Sequence, residues 1–105
     1  MSNFGIPPRY WRRILAVFAP YRSKLDRVVV YGSRARSDHR EYSDVDICVY
    51  PYPSKLPRLE RADLATIWSE VDIPYNVDLV FFDELANPDL QASILRDGVK
   101  LELNC

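Results

Sequence analysis

Three glycines, one histidine and two cysteines are all that the 105 residues carry of those types. Cys48 sits inside an apolar stretch and Cys105 is the last residue. That pattern supplies neither a disulfide framework nor the paired spacing of a zinc site, so both read as free thiols. Long apolar runs are missing too: no segment approaches the ~20 residues of a membrane span, and no basic start leads into an apolar stretch and cleavage site. A soluble, cytoplasmic protein without membrane association is expected. Charge of one sign is not in excess. Fourteen Lys and Arg stand against fifteen Asp and Glu, a net charge of -1, which argues against electrostatic capture of a long polyanion and makes nucleic acid an unlikely partner. Repeats and low-complexity tracts are absent. What remains is 48% hydrophobic and 28% charged, within the ordinary globular range. The length suits one domain over residues 1–105, burying roughly two-thirds of its unfolded surface.

Pro7 and Pro8 suit a helix entry, and Trp11, Ile14, Leu15 and Phe18 then recur at helical spacing up to about Pro20. Leu25 to Tyr31 contains Val28, Val29 and Val30 in succession, the mark of a central strand buried on both faces. Gly32-Ser33 breaks it, and Arg34 to Ser37 suits a short helical turn before the polar segment Asp38 to Ser43. From Asp44 to Tyr50, Val45, Ile47 and Val49 alternate with Asp44, Asp46 and Cys48, giving a strand with two unlike faces and both carboxylates on one of them. Pro51, Pro53 and Pro57 predict a stiff connector outside any sheet, followed by a helix over Leu59 to Val71. Val77 to Phe82 reads as a third strand, Asn87-Pro88 as a cap and first turn, Pro88 to Arg96 as the last helix, Gly98 as its stop, and Val99 to Leu103 as a final strand. The class is α/β (α+β), a small mixed sheet flanked by helices.

The chemistry gathers around three aspartates. A single Asp on a strand is ordinary at edges and ends, but Asp44 and Asp46 are two apart, which places their side chains roughly 6 to 7 Å from each other on one face. Without a cation such a pair repels; a divalent ion bridges it. Asp78 lies among Val77, Leu79, Val80, Phe81 and Phe82, where a buried carboxylate demands a compensating partner. Three carboxylates with no His or Cys cluster nearby suit a hard cation, magnesium first and manganese as a substitute. Gly32 ends a strand and leaves room for backbone amides to approach an anion, with the Ser33 hydroxyl beside it. Arg34 and Arg36 follow, and ten residues separate Ser33 from Asp44. Phosphate donors, guanidinium groups and metal ligands thus fall within one short stretch. His39 stands in the polar loop without an orienting partner and reads as a surface residue. Trp11, Phe18 and Trp68 read as core, whereas several of Tyr10, Tyr21, Tyr42, Tyr50, Tyr52 and Tyr75 are expected at the surface, and a tyrosine-rich surface is compatible with a protein partner.

Tyr31-Gly32-Ser33-Arg34-Ala35-Arg36, Ser43-Asp44-Val45-Asp46-Ile47, the later Asp78 and the ending Leu95-Arg96-Asp97-Gly98-Val99 resemble the minimal nucleotidyltransferases of the DNA polymerase beta superfamily. Ser37 departs from that pattern, since many relatives carry glycine there. The resemblance implies the polymerase beta-like nucleotidyltransferase fold and two magnesium ions held by Asp44 and Asp46, with Asp78 completing the second site. It also implies ATP as donor, its β- and γ-phosphates held by Ser33, the amides near Gly32 and a clamp from Arg34 and less so Arg36.

Relatives that modify antibiotics or extend nucleic acids use additional domains to hold the acceptor, for which this chain has no residues to spare. The resemblance therefore implies a protein acceptor: a HEPN ribonuclease toxin, adenylylated on a tyrosine and silenced, with the present chain as the antitoxin. A binding module that neutralises its partner by occlusion, and an enzyme acting on a small alcohol such as an aminoglycoside, are the alternatives.

Overall fold

The computed structural model describes residues 4–103, which leaves the expected free thiol of Cys105 outside the described residues. Helix α1 (Pro8–Phe18) begins on Pro7 and Pro8, where an absent N–H costs nothing, and turns Ile14 and Phe18 fully inward. Its α-helical geometry ends at Phe18, and a 3-10 turn over Ala19–Lys24 carries the chain past Pro20 into strand β1 (Leu25–Tyr31). After the short helix α2 (Ser33–Arg36) and a loop comes strand β2 (Val45–Pro51). Helix α3 (Arg58–Thr66) continues as a 3-10 turn (Ile67–Glu70), so the expected single helix to Val71 is two pieces. Strand β3 (Val77–Phe81), helix α4 (Pro88–Asp97) and the two-residue strand β4 (Val99–Lys100) complete the chain.

The sheet order is β3-β2-β1-β4, with β1 antiparallel to both β2 and β4 and β2 parallel to β3. A parallel neighbour needs a crossover, which α3 provides. The triple valine of β1 serves both faces as expected: Val28 and Val30 join the cluster that includes Ile14, Phe18, Leu64 and Trp68, while Val29 joins Tyr31, Cys48 and Ile94 on the other side. Helices α1 and α3 therefore cover one face, and α4 covers part of the other. Trp11, Phe18 and Trp68 are core residues, Phe18 and Trp68 with ring centroids 5.7 Å apart.

Three sequence expectations need correction. Pro51 is not outside the sheet; it ends β2 opposite Leu25, at an irregularity where no ladder N–H is required. Strand β4 stops at Lys100, although the Leu101 amide still donates to the Val28 carbonyl at 2.8 Å. Gly98 does stop α4, but with extended geometry (φ -62, ψ 134) and not a left-handed cap. At the other end of α4, Asn87 caps as expected, its side chain accepting from the amides of Asp89 and Leu90.

Candidate active site

Asp46 and Asp78 are the second residues of β2 and β3, paired on the face that α4 covers, and Asp44 lies exposed just before β2, one residue short of the strand expected from Asp44. Residues alternate across a strand, so Val45, Ile47 and Val49 enter the dry core while Asp46 and Cys48 take the opposite side. Pairing then sets the neighbours: Asp46 lies opposite Tyr31 on β1 and opposite Asp78 on β3. Gly32, directly after Tyr31, has φ 75 and ψ -154, which L side chains rarely adopt, and a Cβ built there would collide with the Asp46 carboxylate. Glycine is thus required twice, once for the backbone and once for the acid.

Asp46 is half-buried, and its carboxyl is pushed above the usual carboxylate range, first by burial and then by the negative charges of Asp78 and Asp44, with Arg36 opposing. Those causes place Asp44, Asp78 and Arg36 each within electrostatic reach of Asp46. Among the described residues, none of the three carboxylates makes a side-chain hydrogen bond or an ion pair. Nor do any three His, Cys, Asp or Glu side chains gather closely enough to hold a metal ion by themselves. A divalent cation there would take one or two of the carboxylates and complete its shell with phosphate oxygens and water. An unrelieved pair of like charges fits such an ion.

The structure revises several expected roles. Asp78 is exposed on an edge strand and not buried among its apolar neighbours, because alternation turns it away from Val77, Leu79 and Phe81. Arg34 is no phosphate clamp here: it is 1% exposed, stacks 4.8 Å above the Tyr75 ring, and donates to the carbonyls of Phe4, Glu41 and Ser43. Its guanidinium ties the loop over residues 37–43 to the body, because buried carbonyls need donors. Arg36 is the arginine on the carboxylate side, exposed and paired with Asp38 at 3.2 Å and Asp97 at 3.4 Å. Ser37 is left-handed (φ 64), with the Ser37 and Asp38 amides donating to the carbonyls of Arg34 and Ser33, a Schellman closure in which glycine is the usual residue. Ser33 opens α2 beside Gly32, half-buried. His39 is not a simple surface residue: its Nδ1 is buried without a hydrogen-bond partner, and its Nε2 packs against Gly5. Of the tyrosines, Tyr42 and Tyr52 are exposed and Tyr75 is buried beneath Arg34. Asp97, which orients Arg36, had no signal of its own in the sequence beyond the Arg-Asp-Gly helix ending.

A match to the family described as "Polymerase beta, Nucleotidyltransferase" spans residues 13–102. The chain belongs to the polymerase beta nucleotidyltransferase family. Among curated proteins it is similar to one of Methanocaldococcus jannaschii named "Putative protein adenylyltransferase MJ0141", 37% identical over 57 residues, 53% of this chain and 56% of that one. The chain thus spans little more than half the length of that relative. Among solved structures, "Structure of putative minimal nucleotidyltransferase" matches at 34% identity and TM-score 0.63, covering 86% of this chain and 89% of that chain. A toxin-antitoxin structure with AMP-PNP matches at 24% identity and TM-score 0.67, covering 87% and 71% respectively; at that identity it speaks to the fold, which is the family's four-stranded mixed sheet with flanking helices. Among the described residues, no helix is long and apolar enough to cross a membrane.

Proposed function

We propose that this chain is a magnesium-dependent nucleotidyltransferase that moves AMP from ATP to a protein hydroxyl, a tyrosine of a HEPN ribonuclease toxin, and so acts as an antitoxin. The observation that carries the reading is the register of Asp46 with Asp78 beside a glycine that leaves space for the Asp46 carboxylate. Asp44, Asp46 and Asp78 would hold magnesium between them, one or two carboxylates to an ion and manganese as a substitute, and that metal when bound supplies charge neutralisation and a lowered pKa for the attacking hydroxyl. The backbone after Gly32 and the Ser33 hydroxyl receive phosphate oxygens. Asp78, exposed on the edge strand, takes the proton from the acceptor hydroxyl, and in-line attack on the α-phosphate releases pyrophosphate. Arg36, which shares Asp97 with Arg96, faces the triphosphate charge once Asp38 or Asp97 yields. The tie to a toxin draws on the toxin-antitoxin neighbours of the same fold, and the protein acceptor on the adenylyltransferase named among the relatives.

Incubation with magnesium, labelled ATP and a HEPN toxin that co-purifies with this chain from its source cell tests the proposal, against an Asp44→Ala, Asp46→Ala control. Label on that protein with the wild type alone is the expected result. Full neutralisation of the toxin without label from any of the four nucleotides overturns it in favour of occlusion.

A further inference from the structure

The edge of the sheet next to Asp78 carries a second message. The Val45 amide donates to the Asn76 carbonyl at 2.9 Å, so Asn76 turns its main-chain groups toward β2. A strand residue's own N–H and C=O point the same way and alternate along the chain. Asp78 and Val80 therefore also face β2, and Val77, Leu79 and Phe81 turn their N–H and C=O groups outward. Since β3 is terminal in the sheet, the outward groups of Val77 and Leu79 and the Phe81 N–H have no strand partner among the described residues, while the Phe81 carbonyl caps the 3-10 turn Phe82–Glu84. Edges are ordinarily blunted by proline, lysine or a bulge; β3 reads Val-Asp-Leu-Val-Phe, and its register against β2 runs without interruption.

Beside this edge lies a groove of about 480 Å³ lined by Arg58, Arg61, Ala62, Ala65, Phe81 and Glu84. Two alanines of α3 make its floor shallow, and Arg61 is fixed above the Phe81 ring, 5.2 Å from its centroid, by Asp83, Glu84 and the Leu56 carbonyl. Arg58, at the rim, makes no ion pair among the described residues. The groove is on the face of β3 that Val77, Leu79 and Phe81 share, whereas Asp78 is on the other.

We propose that the β3 edge is the docking strand for the acceptor protein, which adds an extended segment to the sheet, sets one apolar side chain in the Ala62/Ala65/Phe81 groove and presents its hydroxyl at Asp78. The unpaired main-chain groups specify an extended strand as the occupant, since only such a segment satisfies alternate residues in turn. Spacing fits as well. Phe81 and Asp78 are three residues apart, roughly 10 Å along a strand and on opposite faces, so a segment with its anchor three residues from its hydroxyl reaches both. Arg58 favours an acidic residue in that segment. The hydroxyl part of this inference rests on the transferase reading; the docking part does not.

Residue-resolved hydrogen exchange on the full chain, with and without a HEPN toxin that co-purifies with it, tests the docking. The expected result is slowing by about tenfold or more at the Val77, Leu79 and Phe81 amides. Ala65→Trp, which fills the groove from an exposed helix position, and Leu79→Pro, which removes one outward N–H, should each raise the KM for that protein about tenfold while leaving ATP affinity unchanged. Because Leu79→Pro risks local unfolding, Ala65→Trp alone decides if the two disagree. Protection confined to other surfaces, absence of binding, or protection that grows with the concentration of this chain alone, as pairing of two copies would give, overturns the proposal. Protection at β3 without AMP transfer keeps the docking strand and removes the transferase reading; transfer with unprotected β3 amides does the reverse.

Discussion

The two faces of β2 differ in almost every respect although they alternate along seven residues. Val45, Ile47 and Val49 are 0% exposed and packed under α1 and α3. Asp46, one residue away from two of them, is half-exposed, raised in pKa by burial and like charge, and unpaired. One face adds stability and the other spends it, which is the usual relation between a core and a catalytic surface. The two arginines of α2 repeat the contrast. Arg34 enters the Tyr75 side and holds three carbonyls; Arg36, two residues on, stays outside near the carboxylates.

Substituting adjacent residues of β2 should break that comparison most sharply. Ile47→Ala is expected to cost about 3 kcal/mol in chemical denaturation, since a fully buried branched side chain leaves a cavity. Asp46→Asn should instead raise the thermal midpoint of the metal-free protein at neutral pH, because a carboxyl whose pKa is raised on folding takes stability away as pH climbs through the raised value. The same variant should lose AMP transfer by about 10²-fold or more, the scale on which one charge-stabilising group acts. An unchanged rate, or a destabilised Asp46→Asn, would erase the distinction between the faces.

The arginine pair allows a similar test. Arg34→Met orphans three carbonyls and should lower stability by about 3 kcal/mol, at ~1 kcal/mol or more for each group left unsatisfied. Arg36→Met, exposed and held by surface ion pairs only, should stay within about 0.5 kcal/mol in stability while weakening ATP binding by calorimetry. Reversed outcomes would return the phosphate role to Arg34.

Much of this was legible in advance for a physical reason. Alternation in Asp44 to Tyr50 and the triple valine of β1 mark burial by period alone, so the strands and their faces from Val45 on could be read directly. Asp78 and Arg34 could not. The depth of a strand residue depends on whether its strand is central or terminal, and a guanidinium's direction depends on which carbonyls the loop leaves unpaired; neither is a property of local sequence.

Smaller effects sharpen the picture. Ser37→Gly should stabilise the protein by about 1 kcal/mol, relieving a left-handed residue that carries a Cβ; a loss would mean that the serine side chain compensates its backbone. Cys48, fully buried on the α4 side with its thiol pushed up to about 12, mainly by burial, should resist thiol reagents at pH 8 until the fold is opened by denaturant. Reaction in the native state would show that α4 covers that face less tightly than the apolar side is covered.

The sequence by itself determined the elements, the two-faced strand and the candidate chemistry, because these follow from the period of side chains and from the few residue types able to bind phosphate and metal. Tertiary structure alone decided which carboxylate is exposed, which arginine is consumed by the loop, and which edge of the sheet stays open, because each depends on strand order and on main-chain groups that find partners only once the chain has folded.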